Sequence, residues 1–210
     1  KKMESDGHIV RPGSTSLELA QDRTKEKGFL KDKGLPVTQY ETIFDPAGLN
    51  MVSLPLPWIV KTATLGYDGH GQWKIDRPKD IKSAAKMMSG EGPWVVEKVV
   101  PFVKELSVVV TSNGNGILIS YPATENIHEE GILKISIFPA RIDKDLDLRA
   151  RKLATDVVRY ISDPGVFCVE LFLCEDSSML VNEIAPRPHN SAHHTIDAFS
   201  ISQYEQQVRV

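Results

Sequence analysis

Short apolar runs in the first half of the chain are separated by polar and glycine-rich segments. Three runs have the length of strands, and the first of them ends in Lys61. Pro78 is typical of a helix start, and the pattern after it predicts a helix to about Met88. The order strand, glycine loop, strand, helix, strand predicts a small subdomain over residues 36–97. The three runs are residues 58–61, 72–75 and 94–97.

The second half predicts a larger subdomain over residues 98–210. Asn113-Gly114 indicates a hairpin turn between its first two strands. Apolar positions on one helical face from Leu146 to Ile161 predict a helix, which Asp163-Pro164-Gly165 ends. The strand-like runs are residues 105–112, 116–122, 132–138, 166–173 and 179–184.

Residues 1–35 precede both units and predict an extended N-terminal segment followed by a helix. Leu17, Ala20, Thr24 and Lys27-Gly28 fall near helical spacing, which predicts one helix over 16–33 that Gly34 ends.

The composition is that of an ordinary globular protein. The chain has 210 residues, of which 41% are hydrophobic and 25% charged, and this excludes a disordered, collagen-like or coiled-coil chain. The net charge of -3 gives no reason to expect nucleic acid or a membrane as a partner. Cys168 and Cys174 lie in one predicted strand, about 20 Å apart, beyond disulfide reach. We therefore expect reduced cysteines and a cytoplasmic protein.

Two predicted strands near the C-terminus carry acidic residues inside apolar runs. Glu170 interrupts the first strand, and Asn182-Glu183 interrupts the second. A buried carboxylate is costly unless it is paired or bound to a metal, and this set of oxygens suits Mg²⁺. Side chains alternate along a strand, so one or both carboxylates could instead face solvent. The pattern leaves both interpretations open.

The segment after these strands, Ala185 to Asn190, offers a guanidinium, an imidazole and an amide on a proline-stiffened backbone. Such groups beside a metal would suit an oxyanion such as bicarbonate or phosphate. The alternative is a proline-rich turn with polar surface groups. The histidines at 189, 193 and 194 do not form a zinc-binding pattern.

Two further segments have the character of a nucleotide site. The loop LGYDGHGQ (65–72) is not a Walker A sequence, but its backbone N–H groups could cover phosphates, and Lys61 lies just before it. The strand WVVEKVV (94–100) continues into a connection whose backbone could face an adenine ring. An ordinary turn and an ordinary core strand are the alternatives.

The order of these features resembles the ATP-grasp family. Longer strings resemble the 5-(carboxyamino)imidazole ribonucleotide synthases within it, and above all the eukaryotic forms called phosphoribosylaminoimidazole carboxylases. The resemblance covers nearly all of residues 8–208. The strings are QDRTKEKGFL (21–30), GYDGHGQ (66–72), VEKVVPFVKELSVVV (96–110), YPATENIHEEGIL (121–133), VELF (169–172), NEIAPRPHNSAHHT (182–195) and SQYEQ (202–206).

The resemblance implies a fold and a reaction. The fold is α+β, with two α+β subdomains and the nucleotide between them. In the reaction, ATP phosphorylates bicarbonate to carboxyphosphate, and 5-aminoimidazole ribonucleotide is then carboxylated on its exocyclic amine in de novo purine biosynthesis. The enzyme would be a carbon–nitrogen ligase, and a closing lid would keep water from the reactive intermediate.

Matching the strings residue by residue assigns roles by resemblance. Mg²⁺, or Mn²⁺ in its place, would be held by Glu170 and Glu183. The catalytic residues implied are Lys61, Arg187, His189 and Asn190, the last three at the bicarbonate. The ATP-binding residues implied are Arg23, Lys61, Gly66, Tyr67, Asp68, Gly69, His70, Gly71, Gln72, Glu97, Lys98, Val99, Val100, Glu105, His128, Asn182 and Glu183.

This sequence departs from the family pattern at two points. His70 stands in the lid where the family has arginine, which would weaken lid closure or phosphate contact. The family also has an α/β domain before the grasp domain and a small β-rich domain after it, so we expect this chain to be a fragment of a longer, homodimeric protein. Another ATP-grasp ligase, or a nucleotide-binding module without catalysis, are the alternative functions.

Overall fold

The computed structural model describes residues 1–64, 66, 71–88 and 92–210, which form two antiparallel sheets with helices packed against them. This architecture confirms the α+β class. The helices are α1 (Lys2–Ser5), α2 (Ser14–Ala20), α3 (Arg23–Asp32), α4 (Ile81–Met87), α5 (Lys144–Ile161), α6 (Thr195–Ala198) and α7 (Gln203–Arg209). The strands are β1 (Tyr40–Ile43), β2 (Trp58–Thr62), β3 (Gln72–Ile75), β4 (Trp94–Lys98), β5 (Phe102–Asn113), β6 (Leu118–Ser120), β7 (Thr124–Glu129), β8 (Ile132–Ile137), β9 (Pro164–Cys174) and β10 (Met179–Ala185).

The small sheet has the strand order β1-β4-β2-β3 and is covered by α4. Trp58 and Val60 of β2 pack with Trp94 and Val96 of β4 in a core that also takes Ala84 from α4. Lys61 and Thr62 at the end of β2 pair with β3 and β4, so this end of the sheet carries the lysine.

The large sheet has the order β10-β9-β5-β7-β8, and β6 pairs with the end of β5. The face toward α5 is apolar: Val157 and Val158 of the helix pack on Leu106, Val108 and other aliphatic side chains of the sheet. Asp143 caps the N-terminus of α5, and Ser162 ends it in the left-handed conformation (φ 57°). Burying one face on α5 leaves part of the opposite face for polar side chains.

Helix α3 lies where the two sheets meet. Its first residue, Arg23, donates its backbone N–H to the Ala63 carbonyl just after β2. Its buried Glu26 accepts the N–H of Ile184 on β10. The helix therefore joins the end of the small sheet to the edge of the large one.

Several predicted boundaries were wrong. The single helix over 16–33 is two helices, because Asp22 accepts the N–H groups of Thr24 and Lys25 and starts a new helix there. The polar strand β7 and the edge strand β1 were missed, and the strand predicted at 116–122 spans only Leu118–Ser120.

Other elements were found as expected. The strands β2, β9 and β10 and the helix α5 lie within a few residues of their predicted bounds. Cys168 and Cys174 are free thiols in one strand. In the part of the chain that the structure describes, none of the helices has both the length and the apolar character needed to span a bilayer.

Candidate active site

The candidate site lies on the face of the large sheet opposite α5. Ser107 of β5 is the register partner of Glu170 on β9, and Glu170 is the register partner of Glu183 on β10. The neighbours of Glu170 along β9, Val169 and Leu171, point into the core, so Glu170 points to the other face. The register therefore sets two carboxylates side by side.

The two carboxylates differ in their surroundings. Burial and the negative charge of Glu183 raise the pKa of Glu170 to about 7. The side chain of Glu183 is 43% exposed and lies 3.1 Å from Nη1 of Arg23. A β-bulge between Val181 and Glu183 shifts the register of β10 at this point.

The donor set fits Mg²⁺. Among the described residues, no group of three or more His, Cys, Asp or Glu side chains forms a complete metal cage. Mg²⁺ in nucleotide sites is commonly held by one or two carboxylates together with phosphate oxygens, and Glu170 and Glu183 supply such a pair. Burial and then repulsion by Glu183 raise the pKa of Glu170, and a bound cation would relieve the repulsion.

His189 is held against Glu170 by a chain of hydroxyl groups. Its Nε2 lies 3.2 Å from Glu170 Oε1, and its Nδ1 lies 2.8 Å from the Ser191 hydroxyl, to which Ser107 donates. Burial lowers the pKa of His189 to about 4, so the ring is neutral at pH 7. With Nδ1 accepting from Ser191, the proton on Nε2 points to Glu170.

Gln203 fixes the backbone of His189. Its side-chain carbonyl accepts the His189 N–H at 2.9 Å, and its amide donates to the His189 carbonyl at 2.8 Å. Gln203 is fully buried, and its own N–H donates to the Thr195 hydroxyl. This two-point contact anchors the loop that follows β10.

A buried group of charges lies between the sheets. Lys61 Nζ is 3.1 Å from one oxygen of Glu97, and Lys27 Nζ is 3.5 Å from the other. Lys27 also donates to the Asn182 carbonyl at 3.1 Å. Although burial raises it, the two lysines and Arg23 bring the pKa of Glu97 below its ordinary value. The Glu97 side chain thus faces the two lysines, and its backbone lies in β4 between β1 and β2.

The nearby pair His128 and Glu105 lies on the same face of the large sheet. His128 Nδ1 is 2.5 Å from Glu105 Oε2, and this contact raises the pKa of His128 above its ordinary value. The two charges of the pair compensate each other, and both act on Glu170.

The connection from β4 to β5 offers backbone groups. The Val99 N–H donates to the Pro57 carbonyl, and the Val100 carbonyl accepts from Phe102. Within the described residues, the Val99 carbonyl and the Val100 N–H have no hydrogen-bond partner. Phe172, two residues after Glu170 on the same face, stacks on Phe102 with ring centroids 4.7 Å apart. One donor and one acceptor therefore lie beside an aromatic surface.

The lid is only partly described. Tyr67, Asp68, Gly69 and His70 lie outside the described residues, whereas Gly66, Gly71 and Gln72 lie within them. Gly71 has φ +72°, and a Cβ there would lie 2.7 Å from the Thr62 hydroxyl, so the base of the lid requires glycine. Gln72 is the register partner of Lys61.

Three other predicted site residues, Arg187, Asn190 and Lys98, are exposed to solvent. Arg187 and Asn190 are exposed on the loop that Gln203 anchors, and one Arg187 nitrogen donates to the Pro188 carbonyl. Lys98 is exposed at the end of β4.

Sequence reasoning missed several residues that build the site. Glu26 and Lys27 belong to the string RTKEKG, which has the composition of an exposed helix face, yet both are buried. Ser191 and Gln203 lie within the strings that resemble the family, but no role was predicted for either residue. Their burial could have been inferred from Leu30. Lys27 and Glu26 lie three and four residues before this apolar residue, and therefore on the same face of the helix.

Comparison with known proteins shows the family to which the chain belongs. A family model described as an ATP-grasp domain matches residues 28–204. The N5-carboxyaminoimidazole ribonucleotide synthase of Bacillus subtilis is 39% identical over 205 residues, which are 96% of this chain and 54% of that protein. This chain therefore spans about half the length of that relative.

Solved structures have the same fold. The carboxyaminoimidazole ribonucleotide synthase of Aspergillus clavatus complexed with ATP superposes with a TM-score of 0.93 and 31% identity. The structure from the same organism with ADP and 5-aminoimidazole ribonucleotide has a TM-score of 0.90 and 30% identity. Each match covers 99% of this chain and 55% of the other.

Proposed function

Because this chain belongs to the ATP-grasp family, we propose that it is the ATP-binding core of a ligase that carboxylates 5-aminoimidazole ribonucleotide in purine biosynthesis. The proposal takes ATP and bicarbonate as the other substrates. A homodimeric, cytoplasmic protein is part of the same proposal and follows from the family resemblance.

The observation that carries the proposal is the line of charged groups across the junction of the sheets. Lys61 lies at one end and contacts Glu97, Arg23 contacts Glu183, and Glu183 is the register partner of Glu170 at the other end. Phosphoryl transfer needs positive charge at the phosphates and carboxylates for a divalent cation, with the substrates held in line. The arrangement of these residues supports that chemistry.

The proposal gives the residues of the site separate roles in binding the adenine ring, the phosphates, Mg²⁺ and bicarbonate. The Val99 carbonyl and the Val100 N–H, which have no partner among the described residues, would accept from and donate to an adenine ring, and Lys61 and Arg23 would bind phosphate oxygens. Glu170 and Glu183 would hold Mg²⁺, which neutralises charge on the transferred phosphoryl group. Arg187 can grip two oxygens of bicarbonate at once, since a guanidinium binds such oxyanions in a bidentate manner.

His189 would act by position. Its neutral ring orients the Glu170 carboxylate through Nε2–H, and the contact of Gln203 with its backbone keeps the loop carrying Arg187 in place. Of the two interpretations of the acidic strands, the pairing of the buried Glu170 with Glu183 supports the metal site, and Glu183 keeps 43% of its side chain exposed on the edge strand.

The test is ATP turnover measured with and without bicarbonate and 5-aminoimidazole ribonucleotide, in the whole protein that contains this chain. We expect turnover that requires both substrates, and formation of the carboxylated ribonucleotide in equal amount. Turnover that needs neither substrate, or that needs a different acceptor, would contradict the proposal. Glu183→Gln should lower turnover at least about tenfold. Glu175→Gln changes an exposed glutamate in the turn between the same strands and should leave turnover unchanged.

A further inference from the structure

Lys27 is a buried cation that the proposed function does not use. Its side chain is 1% exposed, whereas that of Lys61 is 11% exposed. Its ammonium group contacts Glu97 on the small sheet and the Asn182 carbonyl on the large sheet. Burial lowers its pKa below the ordinary value, and the Glu97 carboxylate acts in the opposite direction. A buried lysine in this position requires an explanation.

The contacts of Glu97 explain why a second lysine is buried here. Two lysines share one carboxylate, each on a different oxygen. If Lys61 were the only partner, its move to a phosphate would leave Glu97 as a buried, unpaired charge, which is strongly unfavourable. With Lys27 in place, Glu97 keeps a counter-ion after Lys61 has moved.

We propose that Lys27 is a positioning residue that keeps Glu97 compensated, so that Lys61 is free to bind the phosphates of the nucleotide. This inference rests on the proposed nucleotide site. Lys27 itself touches neither the nucleotide nor the reacting atoms. Its effect passes through Glu97 to Lys61, and it therefore concerns the phosphates and not the adenosine part.

The experiment compares the affinities for ADP and AMP by calorimetry, since the ratio of the two isolates the distal phosphate. In Lys27→Met we expect the preference for ADP over AMP to fall about tenfold, the size of coupling typical of contacting charged residues. The affinity for AMP should stay within about twofold. Lys25→Met removes an exposed lysine of the same helix and should leave both affinities unchanged.

Two further variants test the route through Glu97. In a Lys61→Met background, Lys27→Met should change the ADP preference no further. Combining Lys27→Met with Glu97→Gln removes the carboxylate that holds Lys61, so it should restore the preference to within about threefold of the wild type. This last variant also contains no unpaired buried carboxylate at position 97, which favours folding.

Three results would overturn the inference. A parallel loss of ADP and AMP affinity in Lys27→Met would mean a structural role. A further loss in the Lys61→Met background would mean that Lys27 acts on the phosphate directly. A preference that stays low with Glu97→Gln would exclude the route through that carboxylate. A wild-type protein with normal ADP preference but no bicarbonate-dependent turnover would contradict the proposed function instead.

Discussion

Glu26→Gln is expected to stabilise the protein, and to do so increasingly as the pH rises. Glu26 is 0% exposed; its Oε1 accepts the Ile184 N–H at 2.6 Å, and its Oε2 has no hydrogen-bond partner among the described residues. Burial, and then the negative charge of Glu183, raise the pKa of Glu26 to about 8. Glutamine keeps the accepting oxygen and cannot become charged.

The magnitude follows from the difference between the folded and unfolded pKa. With a folded pKa of about 8 and an unfolded value of 4.5, the native state binds the extra proton between these two pH values, so its stability falls as the pH rises through that window. At pH 7, which lies 2.5 pH units above the unfolded pKa of 4.5, keeping Glu26 buried lowers the free energy of unfolding by about 3 kcal/mol, at 1.36 kcal/mol per unit. The glutamine variant avoids this cost.

Urea unfolding of both proteins from pH 5 to pH 8 measures the effect. The free energy of unfolding of the variant, relative to the wild type, should rise by about 3 kcal/mol across this range. Titrating groups that do not interact with Glu26 are common to both proteins and cancel in the difference. Glu175→Gln, which removes an exposed carboxylate, controls for the lost charge. A difference that does not vary with pH, or a variant less stable at pH 8, would refute the reasoning.

Three other substitutions give separate tests. Glu183→Gln should lower Mg²⁺-dependent ATP turnover at least about tenfold with an unchanged circular dichroism spectrum, because a Mg²⁺ site with two carboxylates loses one of them; wild-type turnover would remove Glu183 from the site. Arg187→Lys should raise the barrier by about 2–4 kcal/mol while ATP affinity stays the same, since an ammonium cannot replace a bidentate guanidinium; parallel loss of ATP binding would speak against this. Ser162→Gly should raise the unfolding free energy by about 0.5–1 kcal/mol, because glycine suits the left-handed end of α5; a lower melting temperature would contradict this.

The sequence predicted the elements in which the pattern of apolar and polar residues follows from packing against a single hydrophobic core. The helix α5 packs one face on the sheet, and the buried strand β9 is almost uniformly apolar, so each pattern shows its element. Strand β7 was missed because its Glu125 is buried against Lys104 and Arg141, and these partners are remote in sequence. Paired charges make a buried strand look like a polar loop.

The same distinction separates the site residues that could be predicted from those that could not. Glu170 and Glu183 could be predicted because each interrupts an apolar run, and the structure sets them side by side. Lys27 could not, since its burial depends on Glu97, 70 positions later in the chain. A lysine in a charged helix is usually exposed, and only the fold brings the carboxylate to it.

The contacts of α3 determine when this helix can pack against the large sheet during synthesis of the chain. Arg23 and Glu26 bind groups at 183 and 184, which are about 160 positions further along the chain. At ribosomal rates of about 5–20 residues per second, those partners emerge roughly 8–30 seconds after the helix. The side chains of Arg23 and Glu26 lack these partners for that time, so the contact of α3 with the large sheet forms only after β10, the last strand of that sheet, is made.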